Sequence, residues 1–181
     1  MNFRHQPLIW QTRAPGAKCL FRPWLIEQGS LTKSIQLRCS AFSVRNVQLN
    51  QGKACRDEAA LVGLEQREQA LLREVYLYCH EKPVVFAHSV IPLQGLRGPW
   101  QALSGLGNKP LGAALFANPV IKRSPLAYKK LGSRHELYRR ACRLLEIAPP
   151  FLWARRSVFS LKNSPILVTE VFLPPILDLP L

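Results

Sequence analysis

Acidic side chains are scarce in this chain of 181 residues: 11 Asp and Glu stand against 25 Lys and Arg, a formal charge of +14. That imbalance invites a nucleic-acid or membrane-surface reading, but the parts such a reading needs are missing. There is no helix-turn-helix, zinc-finger or RNP pattern. Neither basic block, residues 1–56 or 122–156, interleaves aromatics with its Lys and Arg as a base-stacking surface does. The expectation is a basic, solvated surface that attracts small anions, with no nucleic-acid partner. Long apolar runs are absent too. None reaches the ~18 residues of a membrane span, and no long apolar core follows the first charges, so neither a span nor a signal peptide is expected. Cysteines are few and unpatterned. Cys19, Cys39, Cys55, Cys79 and Cys142 are odd in number and contain no C-x-x-C, which reads as reduced thiols in a cytoplasmic protein. Metal-ligand spacings, G-x-S-x-G, a P-loop and a dinucleotide fingerprint are all missing.

What is present suits one globular unit. Apolar residues make up 48% of the chain and charged residues 20%, enough for a sizeable core. Residues 1–18 mix Pro, Gly, Arg and Gln without periodicity and read as a loosely ordered basic leader, with a single domain over 19–181. Short helices are expected from Pro23, from an N-cap at Ser30 and from about Leu111. Residues 40–50 alternate as a strand, and 57–70 read as a helix or helical turns. The clearest hairpin runs from Leu72 through a turn at Glu81–Pro83 to Ile91. A strand with a basic edge spans 120–131, and Ser133–Glu146 reads as an amphipathic surface helix. A last hairpin joins 152–161 to 166–174 through a turn at 162–165. Hairpins with short helices and no βαβ alternation define an α+β domain on an antiparallel sheet.

The last strand carries a lone carboxylate among apolar residues. Period-2 geometry puts Glu170 on the face of Ile166, Val168 and Phe172, where an unpaired charge costs several kcal/mol. It therefore needs a cationic partner, a hydrogen-bonding ligand or protonation. The first hairpin offers candidates. Arg73 shares a face with Val75, Leu77 and Cys79, and His88 shares one with Phe86 and Val90. Residue types leave two arrangements equally open: a dry pocket in which cations and helix-start amides take a carboxylate while Glu170 takes a hydroxyl or ether oxygen, or an internal Arg73–Glu170 salt bridge with no cavity.

Beyond these residues, several blocks resemble the chorismate lyase (chorismate pyruvate-lyase) family of ubiquinone biosynthesis. They are Trp24-Leu-Ile-Glu, Gly29-Ser-Leu-Thr-Lys33, Leu72-Arg-Glu-Val, Pro92, Leu106-Gly-Asn-Lys-Pro-Leu-Gly112, Leu152-Trp-Ala-Arg-Arg-Ser157 and Val168-Thr-Glu-Val-Phe-Leu-Pro174. They run in family order from Trp24 to Pro174. The resemblance implies an antiparallel sheet with helical flaps over a buried ligand pocket. It implies a lyase, needing no metal or organic cofactor, that converts chorismate into 4-hydroxybenzoate and pyruvate. It implies that Arg73 holds the ring carboxylate, aided by backbone at Leu31 and Leu111, and that Glu170 meets the ring hydroxyl. Members carry Met at the position of Leu31 and a second Arg at that of His88, which leaves His88 as a weaker substrate contact. The segment 133–150 looks longer than in other members. Arg155 and Arg156 lie in a family block but are read as structural or surface charges outside the site. A monomer is expected. A non-enzymatic, effector-sensing domain of the same fold is the alternative of a different class.

Overall fold

Alternating apolar segments from Phe42 onward are realised as strands of one sheet. The computed structural model describes residues 9–65 and 67–180. Its strands are β1 (Phe42–Gly52), β2 (Ala70–Cys79), β3 (Lys82–Pro92), β4 (Lys122–Arg123), β5 (Ala127–Leu131), β6 (Leu152–Leu161) and β7 (Ser164–Phe172). Every pairing is antiparallel, in the order β1-β2-β3-β7-β6-β4, with β5 also on β6. The helices are short: α1 (Arg22–Leu25), α2 (Leu31–Gln36), α3 (Leu93–Leu96), α4 (Leu111–Ala117) and α5 (Glu136–Ala141). Helices of one or two turns do not stand alone in water, so packing on the sheet holds them. This is the expected α+β architecture.

Local chemistry explains the departures. Both hairpin turns are tighter than expected. Lys162 and Asn163 have φ of 47° and 63°, the left-handed pair that matches the twist of a two-residue hairpin, so Ser164 and Pro165 already belong to β7. The single strand expected over 120–131 is broken around Pro125, which has no amide for a ladder, and both pieces pair with β6. The helix expected over Ser133–Glu146 is shorter. It gives way at Cys142 to a 3-10 turn (Cys142–Leu144), where the Tyr76 hydroxyl donates to the Arg140 carbonyl at 2.7 Å. Of the leader, residues 1–8 lie outside the described residues. Gln11 pairs with Tyr128 through two backbone bonds of 2.9 and 2.8 Å, and Trp10 Nε1 donates to Asp57 at 2.6 Å.

The sheet is covered on both sides. On one face, α1 and α2 pack Trp24, Leu25, Leu31 and Ile35 against Val75, Leu77, Val85 and Phe172, while Leu111 and Leu115 of α4 meet Phe159 and Ile166. On the other, α5 sets Leu137, Tyr138 and Ala141 on Tyr76, Phe86 and Val171, and the 3-10 turn Ala59–Val62 covers Leu72, Val90 and Leu167.

One sequence expectation is overturned. The five cysteines are not all free: Cys39 and Cys79 form a disulfide, their Cα atoms 5.8 Å apart, leaving Cys19, Cys55 and Cys142 as thiols. Pairing of Phe42 with Cys79 brings the chain leaving α2 back beside the end of β2, a proximity that 40 residues of separation conceal. The cysteine-based argument for a reducing compartment falls with it. Thiol labelling of the unreduced, denatured protein should modify three cysteines of five. Cys39→Ser should lower the melting temperature, since such cross-links contribute ~2–4 kcal/mol; five labelled thiols would refute the pairing.

His88 belongs to the second face. Cross-strand register sets Glu74, His88, Thr169 and Arg156 in one row across β2, β3, β7 and β6. Glu74 Oε1 lies 3.0 Å from His88 Nδ1 and 2.5 Å from Arg140 Nη1. Glu58 Oε2 lies 3.3 Å from His88 Nε2, within ion-pair distance but outside hydrogen-bond geometry. Burial opposes the imidazolium, yet the two close carboxylates of Glu58 and Glu74 outweigh it and push its pKa up to about 9 from 6.5. Burial likewise opposes charge on Glu58 and Glu74, and His88 outweighs it, so both carboxyls titrate below their usual range. With the folded pKa of His88 above the unfolded one, its stabilisation is complete below about pH 6.5 and fades as pH rises through about 9. The effect is on the order of 3 kcal/mol. Denaturant melts should show stability falling between those pH values in the native protein, and a clearly shallower fall over the same interval in His88→Gln.

Candidate active site

The first face of the sheet is not fully filled. Between it and the helices lies a narrow cleft whose enclosed space is about 30 Å³. Its floor is set by register. Arg73, Ser89, Val168 and Ser157 form one row across β2, β3, β7 and β6, and Val75, Ala87, Glu170 and Arg155 form the next. Arg73 and Glu170 are thus two strands and one pleat apart, about 12 Å between Cα atoms at ordinary sheet spacings. Between them stand the small residues Ala87 and Ser89. Leu31 and Thr32 of α2, and Leu111, Gly112 and Leu115 of α4, form the roof. The two flaps meet at Gly112, where a side chain would touch Thr32 and Ser30.

Arg73 is an anchored cation without a counter-ion. It is 3% exposed, and its Nη2 donates to the carbonyls of Gly107 and Lys109 at 3.1 and 2.9 Å. The left-handed turn at Gly107, φ 51°, presents the first of those carbonyls. Its Nε is buried and has no partner, and no carboxylate among the described residues pairs with it. Burial lowers its pKa. Such a group is the half-built fork that a carboxylate completes. Leu31 and Leu111 are the first residues of their helices. Ser30 caps α2 by accepting from the Lys33 amide at 3.3 Å, whereas α4 has no side-chain cap.

Glu170 finds its cation in Arg155, which sequence reasoning had set aside as structural or surface charge. Arg155 Nε donates to Glu170 Oε2 at 2.6 Å. Its Nη1 donates to the carbonyls of Trp24 and Leu25 at 3.0 and 3.3 Å, orphan acceptors at the end of α1, and to that of Glu27 just beyond it at 2.6 Å. Arg155 is 1% exposed, so it is structural and deeply buried, and it fixes the Glu170 carboxylate while tying α1 to the sheet. The direct Arg73–Glu170 bridge is not formed. The sequence did contain the signal, since both Arg155 and Glu170 sit in motif blocks, but only strand register reveals that they are opposite each other.

The structure therefore brings together Leu31, Arg73, Leu111 and Glu170 and leaves out His88. A single-residue step along β3 decides this: Ser89 pairs with Arg73 and faces the cleft, while His88 pairs with Glu74 and faces away. A lining residue that sequence reasoning had left in a basic block is Arg123 of β4. No helix among the described residues is long and apolar enough to cross a membrane.

The chain is similar to known proteins along most of its length. The chorismate lyase family model matches residues 8–179. A probable chorismate pyruvate-lyase of Nitrosospira multiformis is 58% identical over 159 residues, covering 87% of this chain and 88% of that one. Its counterpart in Nitrosomonas eutropha is 51% identical over 94% of this chain and 96% of its own length. Among solved structures, the C-terminal domain of the histidine utilization repressor from Pseudomonas syringae aligns with TM-score 0.55 at 12% identity, over 74% of this chain and 92% of that one. The ligand-binding domain of a putative GntR-family regulator from Bordetella bronchiseptica aligns at 0.53 and 16%, over 74% and 83%. These last two share the fold.

A buried arginine kept without a counter-ion serves a ligand at the expense of stability. Arg73→Met removes two loop hydrogen bonds together with an uncompensated buried charge, so the melting temperature should change little, while affinity for an aromatic carboxylate such as 4-hydroxybenzoate falls by at least ~30-fold, as expected for a charge-assisted pair. A loss of several degrees with affinity retained would make Arg73 a brace for the Gly107–Lys109 loop instead.

Proposed function

The chain belongs to the chorismate lyase family, and on that premise we propose that it eliminates pyruvate from chorismate to leave 4-hydroxybenzoate. The observation that carries the reading is the pairing pattern of the cleft. Arg73 waits at one end without a carboxylate, and Glu170 is held at the other by Arg155.

Chorismate bears a carboxylate on the ring carbon opposite the one that carries its hydroxyl. Arg73 takes that carboxylate, with backbone at Leu31 and Leu111 closing over it from the flaps. Glu170 accepts from the C4 hydroxyl and fixes the ring in its plane. The bond from C3 to the enolpyruvyl oxygen breaks, the C4 proton leaves, and the third ring double bond forms. The departing enolpyruvate gains a proton and tautomerises to pyruvate. Aromatisation supplies the driving force, so the protein's task is to orient the ring, exclude water and stabilise charge on the departing oxygen. We take a monomer as the working unit. We assign the product to ubiquinone biosynthesis, as the family resemblance implies. The regulator domains that share the fold resemble it at 12–16% identity, too remote to favour effector sensing over catalysis.

Purified protein mixed with chorismate should release 4-hydroxybenzoate, followed by its absorbance, and pyruvate in equal amounts. Glu170→Gln keeps the shape and removes the charge; kcat should fall by at least ~100-fold, in the range of a lost acid, base or oxyanion contact. Full activity in that variant would remove the carboxylate from the chemistry, and no turnover by the native protein would refute the function.

A further inference from the structure

Arg73 and Glu170 account for one carboxylate and the hydroxyl of the substrate, and chorismate has a second carboxylate on its enolpyruvyl arm. We propose that Arg123 holds that second carboxylate, and so distinguishes intact substrate from the ring product. The proposal rests on the function given above.

Arg123 lines the same cleft from its far side. It lies on β4, opposite Phe159 of β6. Its Nε donates to Ser157 Oγ at 2.8 Å, and its Nη1 donates to the Gln28 carbonyl at 2.7 Å. Ser157 ends the row that Arg73 begins, so the two arginines bracket the floor from opposite edges. Only neutral groups hold Arg123, and no carboxylate among the described residues comes within ion-pair distance. Its guanidinium also lies over the rings of Phe116 and Phe159, 5.2 and 5.3 Å from their centroids. Those rings give the guanidinium an aromatic seat that favours one orientation of the charge.

Charge balance points the same way. Glu170 and Arg155 neutralise each other, which leaves Arg73 and Arg123 as two uncompensated cations in one cleft, the complement of a dianion. Burial, and then the field of Arg155, lower the pKa of Arg123, while Glu170 is near enough to oppose that shift. Position agrees with substrate chemistry. The enolpyruvyl arm is attached to the ring carbon next to the one bearing the hydroxyl, so a group that binds its carboxylate must stand beside Glu170 and away from Arg73. A cation there also faces the oxygen on which charge develops as the C3–O bond breaks. The family's second Arg, replaced here by His88, is not needed for this contact, because position 88 lies on the other face of the sheet.

Arg123→Gln and Arg123→Lys test the assignment with three ligands: chorismate, 4-hydroxybenzoate, and the unreactive dicarboxylate 3-(carboxymethoxy)-4-hydroxybenzoate. The Gln variant should lose on the order of 10- to 100-fold in kcat/KM for chorismate, the span of a charge-assisted hydrogen bond. Its Kd for 4-hydroxybenzoate should stay within about threefold of the native value, which also reports an intact fold. The native protein should bind the dicarboxylate more tightly than the product; Arg123→Gln should erase that preference and Arg123→Lys restore part of it. Equal losses for product and dicarboxylate, or unchanged turnover, would overturn the role of Arg123. If the native protein fails to turn over chorismate, the function falls, and the dicarboxylate preference alone then decides whether Arg123 is an anion site.

Discussion

A single choice of register across β2, β3, β7 and β6 governs everything the molecule can do with its buried charges. Side chains in a strand alternate between faces, so sliding one strand by one residue would exchange the cleft row for the row behind it. The present register gives the cleft Arg73, Ser89, Val168 and Ser157 and gives the opposite face Glu74, His88, Thr169 and Arg156. The hydrophobic residues flanking each row enforce it: Val75, Leu77 and Phe172 pack under α1 and α2, while Tyr76, Phe86 and Val171 pack under α5. A slip would bury each set against the wrong helix.

The two charged layers are built on different principles. Behind the sheet, charges are mutually satisfied: His88 between Glu58 and Glu74, Arg156 on Asp57, Arg140 on Glu74. In the cleft, among the described residues, only Glu170 has an ionic partner, and Arg155 supplies it at the same time as it caps α1. Arg73 and Arg123 are held by carbonyls, a hydroxyl and aromatic faces. The first layer stabilises the fold. The second keeps positive potential in a low-dielectric site, where it acts strongly on a bound anion.

The flaps follow from the same economy of scale. With six and seven residues, α2 and α4 are too short to persist alone, so their position depends on Leu31, Ile35, Leu111 and Leu115 seated in the core. Arg73 then links the loop before α4 to the sheet through Gly107 and Lys109, and the Cys39–Cys79 disulfide ties the chain after α2 to β2. Each flap is thus attached at a point beside the cleft it covers, and a ligand meets an enclosure that is already partly formed.

Local pattern was legible before any coordinates. Alternation from Leu72 to Ile91 and from Leu152 to Phe172, the cap at Ser30 and the Leu111 start all appear where short-range chemistry puts them, because each depends on neighbours within a few residues. The need of Glu170 for a partner was equally legible, since burial of a charge follows from the apolar residues around it. Long-range proximity was hidden. Nothing local tells that Arg155 pairs with Glu170, that Cys39 reaches Cys79, or that Arg123 joins the cleft from what reads as a basic surface segment. The α+β class, the apolar faces and a carboxylate requiring compensation follow from alternation and composition alone. Which cation compensates it, and which are left free for an anion, was decided only by the tertiary structure. Register across non-neighbouring strands is a property of the whole sheet and of the helices that lock it.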